Sequence, residues 1–167
     1  MVNSNITKVE GINDDTMPML PIYLLNILAK AGISQLCTEA GANPKTADPV
    51  GIILVTIFSD PLFLWRKNTF FDILLAKFRV VCPVLFGVRG NDKTDQGRAR
   101  LGWKKADNGW ISEQEHNDRM VGLGAGFAAV SLRKFPKSRV NPCPPNIYWL
   151  ALASICRTPI EETSSTQ

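Results

Sequence analysis

Histidine and cysteine are scarce in this sequence, and their spacing disfavours the common metal sites. The 167 residues include one histidine and four cysteines, and no two cysteines form a CxxC pair. Structural zinc sites usually use closely spaced pairs of Cys or His ligands. We therefore expect no metal and interpret the cysteines as buried free thiols of a reducing compartment: Cys37, Cys82, Cys143 and Cys156.

Long apolar runs are also missing. The longest, residues 50–58 and 80–88, fall well short of the ~20 residues that cross a membrane. Residues 1–15 are polar and lack the apolar core of a signal peptide. We expect no membrane insertion and no signal peptide.

Recognisable catalytic motifs are lacking as well. A Gly-x-Gly-x-Gly run at 122–126 invites comparison with a nucleotide loop, but Phe127 occupies the third glycine position of G-x-G-x-x-G. His116 and Asp118 suggest acid–base chemistry, yet no serine or cysteine lies in a nucleophile elbow. We expect a protein that is not an enzyme.

Basic residues, in contrast, are in excess and clustered. The net charge is +4 and the pI about 9.0. Residues 89–105 hold six cations and two acids, and residues 133–139 hold four cations and no acid. Such clusters attract phosphate, nucleic acid or acidic protein surfaces, although many are only solvated loops.

Helical patterns dominate the first half of a chain that has the size of one domain. An amphipathic helix is predicted from about residue 18 to Ala40, with this apolar face: Leu20, Leu24, Ile27, Leu28, Ala31 and Leu36. Asp48 and Pro49 fit the cap and first position of a helix that ends at Phe58. A third helix is predicted to be capped by Asn68 or Thr69 and interrupted at Cys82-Pro83.

The second half adds two more helices. Ser112 and Glu115 form a capping box. A stripe follows on a helix that runs to about Lys134: His116, Met120, Leu123, Phe127 and Val130. Three glycines at even spacing within it suggest close approach of a neighbouring helix, and a last helix follows residues 142–145. No strand pair is evident, so the expected fold is an all-α array.

Trp103 and Trp110 flank the second half of the basic loop and have two interpretations. Aromatic rings beside cations are typical of single-stranded nucleic-acid surfaces. The alternative, which we favour, is that both rings hold the loop to the core, since Leu101 and Ile111 flank them like buried neighbours.

Three cations lie on the first and third predicted helices: Lys30, Lys77 and Arg79. If these helices are adjacent, the cations could converge. A pocket of several cations suits a polyanion better than a single phosphate, because each charge-assisted contact contributes roughly 1–3 kcal/mol.

Several segments of this sequence match a known pattern in the same order: LLNILAK at 24–30, IFSDP at 57–61, DILLAKFRVVCPVLFG at 72–87, and the stretches 96–103 and 110–130. Together they resemble the C-terminal domain of the GLFG-lethal nucleoporin family of mRNA export factors, in its fungal form. The resemblance covers residues 17–167, with residues 1–16 as a flexible lead-in.

The resemblance implies a HEAT-like helical-repeat domain, similar to the middle domain of translation initiation scaffolds. It implies an activator that binds a DEAD-box RNA helicase at the cytoplasmic face of the nuclear pore, stimulates its ATPase and promotes RNA release. Such a protein occurs in nucleus and cytoplasm. Inositol hexakisphosphate is the implied cofactor. Further implied partners are an FG-nucleoporin segment and translation initiation and termination factors, with RNA contacted only indirectly.

This sequence departs from that family pattern in two ways. Val80, Val81 and Ser34 replace basic positions of the inositol-phosphate site, which leaves Lys30, Lys77 and Arg79. We therefore expect weak or absent binding of inositol hexakisphosphate, with a dissociation constant above about 1 μM. The domain also resembles a version truncated at both ends. Residues 158–162 look like a helix start, and apolar surface on the last helix is expected to be uncovered.

Two other functions are consistent with the residues alone. A helical RNA-binding module would use the basic segments 89–105 and 133–139 directly, and its affinity would fall steeply with salt. An enzyme acting on a phosphorylated substrate would need an acid or base within the basic pocket, and none is apparent.

Overall fold

The fold is all-α, as predicted. The computed structural model describes residues 19–135 and 140–157. In those ranges it has six helices: α1 Met19–Ala42, α2 Ala47–Phe58, α3 Phe71–Val81, α4 Asp95–Arg100, α5 Glu113–Ser131 and α6 Pro145–Cys156. The predicted lead-in at 1–16 and the helix start at 158–162 lie outside the described residues.

Helix α1 buries a different face from the predicted one. Its core stripe is Leu25, Ala29, Ile33, Leu36 and Ala40. Of the residues predicted to form the apolar face, Leu36 is buried, whereas Leu20, Leu24 and Ile27 are exposed. The helix is apolar nearly all round, so its periodicity does not select one side. Contact with α2 and α5 makes the selection.

By length and composition alone, α1 is apolar enough to span a membrane. Its packing supports a different role. Gly32 lies directly against Leu54 of α2, and Leu36 packs against the glycines of α5. One stripe of α1 therefore belongs to the core, while Leu20, Leu24 and Ile27 are exposed on its other side.

Helix α2 begins at Ala47, one residue before the predicted cap Asp48, after a short 3₁₀ turn at Pro44–Thr46. Thr46 precedes it without a side-chain cap hydrogen bond. Asp48 instead lies in the first turn, where its negative charge complements the helix dipole. The helix ends at Phe58, as predicted.

The predicted caps of α3 were wrong. Asn68 and Thr69 form a two-residue strand (β2) that pairs with Leu64–Trp65 (β1) in a tight hairpin. The two turn residues, Arg66 and Lys67, both have positive φ, which is typical of the mirror-image turns that join such strands. Helix α3 begins at Phe71, ends before Cys82-Pro83 as predicted, and continues as a 3₁₀ turn at Pro83–Phe86.

Two elements appear where the sequence predicted only loop. Helix α4 is capped by Thr94, whose hydroxyl accepts a hydrogen bond from the Gly97 N–H at 3.0 Å. A second hairpin pairs Lys105–Ala106 (β3) with Gly109–Trp110 (β4). Strands of two residues are too short to give an alternating hydrophobic pattern, so the sequence does not reveal them.

Helix α5 is the central helix. Its cap is confirmed, because the Glu115 N–H donates to Ser112 Oγ at 3.2 Å, although the helix ends at Ser131 and not near Lys134. The predicted stripe faces the core, with Met120 half-buried and the other members buried. Phe127 meets Phe78 of α3 edge-on, with ring centroids 5.4 Å apart. Burial of each such ring contributes about 2–3 kcal/mol.

Two of the three glycines explain how α1 and α5 approach so closely. A Cβ on Gly122 would overlap the backbone of α1 at Leu36 and Gly41, and one on Gly126 would overlap the Leu36 side chain. Gly124 has open space beside it. The predicted close approach is therefore confirmed at Gly122 and Gly126 and wrong at Gly124.

Candidate functional site

The three predicted ligand-binding cations lie on α1 and α3, which pack against each other. Lys30 is exposed on α1, Lys77 is half-buried on α3 and Arg79 is exposed. Residues two apart on a helix point about 160° away from each other, so Lys77 and Arg79 occupy opposite flanks of α3. A single small ligand could therefore contact Lys77 or Arg79, but not both.

Arg79 has a partner of its own. Its guanidinium lies 5.0 Å from the centroid of the Phe86 ring, a cation–π contact. The same residues line a cavity of about 470 Å³ that also includes the carboxylate-bearing Asp72. An acid in this cavity opposes phosphate binding there.

Val80 and Val81, where the resemblance implies basic residues, line a second groove, and Val80 also lines the cavity of Arg79 and Asp72. Val80 is 73% exposed, and the groove has a volume of about 410 Å³. Its lining comes from the end of α3, from α4 and the hairpin after it, and from α5: Val80, Val81, Ala99, Gly102, Trp103, Lys104, Lys105, Trp110 and Arg119. We call this the α3–hairpin groove.

The floor of the groove depends on Gly102. This residue has φ +81°, a left-handed conformation that favours glycine. A Cβ at this position would lie 2.7 Å from the Val81 carbonyl oxygen and 2.8 Å from Pro83. Glycine therefore allows the loop before the hairpin to lie directly on the end of α3.

Trp103 holds the loop to α5, as the favoured interpretation predicted, whereas the described partners of Trp110 lie within the basic loop itself. The Trp103 ring stacks on His116 with centroids 4.2 Å apart, and the Arg98 guanidinium lies 4.8 Å from it. The Trp110 indole N–H donates to Asp95 Oδ1 at 2.8 Å, and the Lys105 ammonium lies 5.2 Å from its ring. Each ring therefore already has a stacked or cationic protein partner.

Arg119 of α5 is a groove residue that our sequence reasoning missed. It is half-buried, and its Nη1 donates to the Gly102 carbonyl oxygen at 3.4 Å. Its position beside Met120 of the predicted stripe was the available signal, because a cation next to a core position lies at the edge of the packed face. Its side chain is therefore fixed at the groove rather than free in solvent.

Two cations of the groove, Arg119 and Lys104, lie near the thiol of Cys37 on α1. Burial raises the pKa of Cys37, while the positive charges of Arg119 and Lys104 act in the opposite direction. Cations from α5 and from the loop before the hairpin thus lie near one residue of α1.

All four cysteines are free, as predicted. Cys82 and Cys143 are buried and Cys37 is half-buried, whereas Cys156 is exposed, so the prediction of burial was wrong for Cys156. Burial raises the pKa of Cys82 to about 11. Within the described residues, no three His, Cys, Asp or Glu side chains are placed to hold a metal ion.

The second basic segment is only partly described, because residues 136–139 lie outside the described ranges. Arg133 forms an ion pair with Asp48 at the start of α2, which links the end of α5 to α2. Lys134 is exposed. The positive charge of Arg133 therefore stabilises the contact between the end of α5 and the start of α2.

Comparison with known proteins identifies the family of this chain. The protein-family model described as "GLE1-like protein" matches residues 2–167. The chain is 61% identical over 162 residues to mRNA export factor GLE1 of Chaetomium thermophilum and 28% identical over 175 residues to that of Saccharomyces cerevisiae. These alignments include 95% and 98% of this chain, respectively, but the chain spans only 31% of each relative's length.

Solved structures show the same fold. One is described as the C-terminal domain of an S. cerevisiae Dbp5 variant bound to Gle1 and IP6. Its matching chain has a TM-score of 0.71 and 28% sequence identity, over 85% of this chain and 48% of that one. A second such complex, with a variant of Gle1, has a TM-score of 0.72 and 27% identity. With the family model matched over nearly the whole chain, this protein belongs to the GLE1 family.

Proposed function

We propose that this chain is the helicase-binding part of an mRNA export factor. It docks on the C-terminal domain of a DEAD-box RNA helicase at the cytoplasmic face of the nuclear pore and stimulates its ATPase cycle. The supporting observation is the likeness to chains in solved complexes of the Dbp5 C-terminal domain, Gle1 and IP6. Because the chain covers 31% of its curated relatives, the activity is proposed for this part alone.

In this mechanism the domain does no chemistry. An activator stimulates a two-lobed helicase by binding one arrangement of the lobes better than the other, which shifts the population toward that arrangement. A stiff array is suited to this task, because the packed core of α1, α2, α3 and α5 fixes the spacing between contact points. We also propose an FG-nucleoporin segment and translation initiation and termination factors as further partners.

The inositol-phosphate part of the proposal rests on Lys30 and Lys77, with Arg79 on the opposite flank of α3. Lys30 and Lys77 lie on adjacent helices, which supports their convergence. Arg79 contacts Phe86 in a cavity that also contains Asp72, which makes it the weakest member of the set. On these three residues alone we expect a dissociation constant above about 1 μM.

The experiment is ATPase stimulation of the cognate helicase by this chain, with and without inositol hexakisphosphate. Stimulation supports the proposal, and its independence of the ligand would show that the α1–α3 cations are dispensable. If a cooperatively folded sample gives no stimulation, the proposed function is wrong for this part of the protein.

Direct RNA binding is the rival function. It predicts that the chain binds single-stranded RNA without the helicase and that the affinity falls steeply with salt. The partners already packed on Trp103 and Trp110 argue against base stacking, which leaves phosphate contacts as the source of affinity.

A further inference from the structure

A further cavity, of about 270 Å³, lies where the 3₁₀ turn after α3 and the loop that follows it meet the first turns of α5. Its more buried lining is apolar or aromatic, and its exposed lining is polar or charged. Trp103 is the one lining residue that it shares with the α3–hairpin groove. We call it the Trp103–His116 cavity, after the two stacked rings that line it.

The exposed rim of this cavity carries more acid than base, although the chain as a whole has a net charge of +4. The charged rim residues are Asp92, Glu113 and Arg89. Within the ranges 19–135 and 140–157, neither carboxylate forms an ion pair or a hydrogen bond. Arg89 is engaged elsewhere, because its Nη2 donates to the Arg157 carbonyl oxygen at 3.0 Å. The rim therefore favours a positively charged ligand.

His116 contributes a buried polar atom whose hydrogen-bonding capacity is unused. The residue is 8% exposed, and no described residue bonds its Nδ1. Burial lowers the pKa of His116, so near pH 7 the imidazole is neutral and one of its ring nitrogens is an acceptor. Buried polar atoms nearly always have a partner. An unbonded Nδ1 in a lining residue indicates a ligand that brings an N–H donor.

We propose that the Trp103–His116 cavity binds an arginine side chain from an extended basic segment of a partner protein. A guanidinium has five N–H donors in a planar fork, so it can serve two carboxylates and a ring nitrogen together. It is also more weakly hydrated than an ammonium group, which reduces the cost of entering a partly apolar cavity. The inference goes beyond the proposed function and does not depend on it.

The apolar lining suits the stem of such a side chain. Val84, Val88 and Leu101 are half-buried, and long cationic side chains bury their methylene groups against surfaces of this kind. The volume of about 270 Å³ falls just below the roughly 300–1,000 Å³ of small-molecule sites, so the cavity suits one side chain. The backbone of the partner would cross the exposed residues Gly90 and Asn117, whose amide groups can bond its peptide units.

The test is an NMR titration of the ¹⁵N-labelled chain with a blocked pentapeptide that has one central arginine between alanines. We expect a dissociation constant on the order of 1 mM and chemical-shift changes at Gly90, Trp103 and Asn117. The same peptide with citrulline, which keeps the shape of arginine but has no charge, should bind at least tenfold more weakly.

Two double variants separate the cavity from general electrostatics. Asp92→Asn/Glu113→Gln should weaken binding of the arginine peptide at least fivefold. Glu39→Gln/Asp107→Asn removes the same charge from exposed residues that do not line the cavity and should change the affinity less than twofold. Circular dichroism and thermal melting establish that both variants are folded.

The proposal is overturned if the arginine peptide causes no shifts at the cavity, if the citrulline peptide binds equally well, or if the two double variants behave alike. Free agmatine, which has the same head group and stem without a peptide backbone, should bind more weakly than the peptide. Equal binding of agmatine would overturn the assignment to a partner segment. Peptide binding is measured without a helicase, so its failure leaves the proposed function standing.

Discussion

The imidazole of His116 lies flat on the indole of Trp103, with centroids 4.2 Å apart and planes 10° apart. One ring belongs to the first turns of α5 and the other to the loop before the second hairpin. The contact joins the central helix to the element that supplies Lys104 and Lys105. His116, which the sequence offered as a possible acid–base residue, is 8% exposed and has a packing role in the structure.

This stack should make stability depend on pH. Burial, and secondarily the charge of Arg119, lower the pKa of His116. A lowered pKa in the folded state favours the neutral imidazole, so its contribution is present above the unfolded pKa of about 6.5 and is lost as the pH falls. We expect the melting temperature to decrease between about pH 7.5 and pH 5. In His116→Phe the ring stays uncharged and the decrease should be smaller; an equal decrease would contradict the prediction.

The glycines of α5 offer a matched pair of substitutions. Gly122→Ala places a Cβ against the backbone of α1, where nothing flexible can yield. We expect it to destabilise the fold by about 3 kcal/mol. Gly124→Ala meets open space and should stabilise by up to about 1 kcal/mol through helix propensity. Chemical denaturation of both variants measures the difference, and similar effects at the two positions would rule out this account of the α1–α5 contact.

Cys82 should set an alkaline limit to stability. Burial raises its pKa from 9.0 to about 11, so the folded state favours the protonated thiol. Its contribution is complete below about pH 9 and is lost as the pH rises toward 11, an effect of about 2–3 kcal/mol. The free energy of unfolding should fall more steeply across this range in the wild type than in Cys82→Ala. If the free energy of unfolding falls equally steeply with pH in the wild type and in Cys82→Ala, the prediction is wrong.

The outer face of α6 should cause self-association. Trp149 is 60% and Leu150 64% exposed on this helix, and adjacent exposed apolar groups of this size are prone to association. We expect the double variant Trp149→Lys/Leu150→Glu to be more soluble and monomeric by light scattering. Val140→Lys, which changes an exposed residue outside α6, is the control. A wild-type chain that is monomeric and melts cooperatively would show that the face is harmless.

Part of the site could be predicted from the sequence. The basic residues of 89–105 and the role of Trp103 as a loop anchor were visible in composition and flanking residues. The second hairpin and Arg119 were not. Two-residue strands carry no periodicity, and a single arginine on a helix gives no sign of which loop it meets. The groove therefore became visible only when the loop was seen to lie on α3 and α5.

The sequence by itself determined five of the six described helices, all except the short α4, because caps and apolar spacing act within one segment. Ser112 and Glu115 place the start of α5, and the Cys82-Pro83 pair ends α3. Only the tertiary structure decided which face of α1 is buried, since that helix is apolar on most sides and its stripe is chosen by the glycines of α5. The same holds for the groove, whose cations come from segments far apart in the chain and meet through packing.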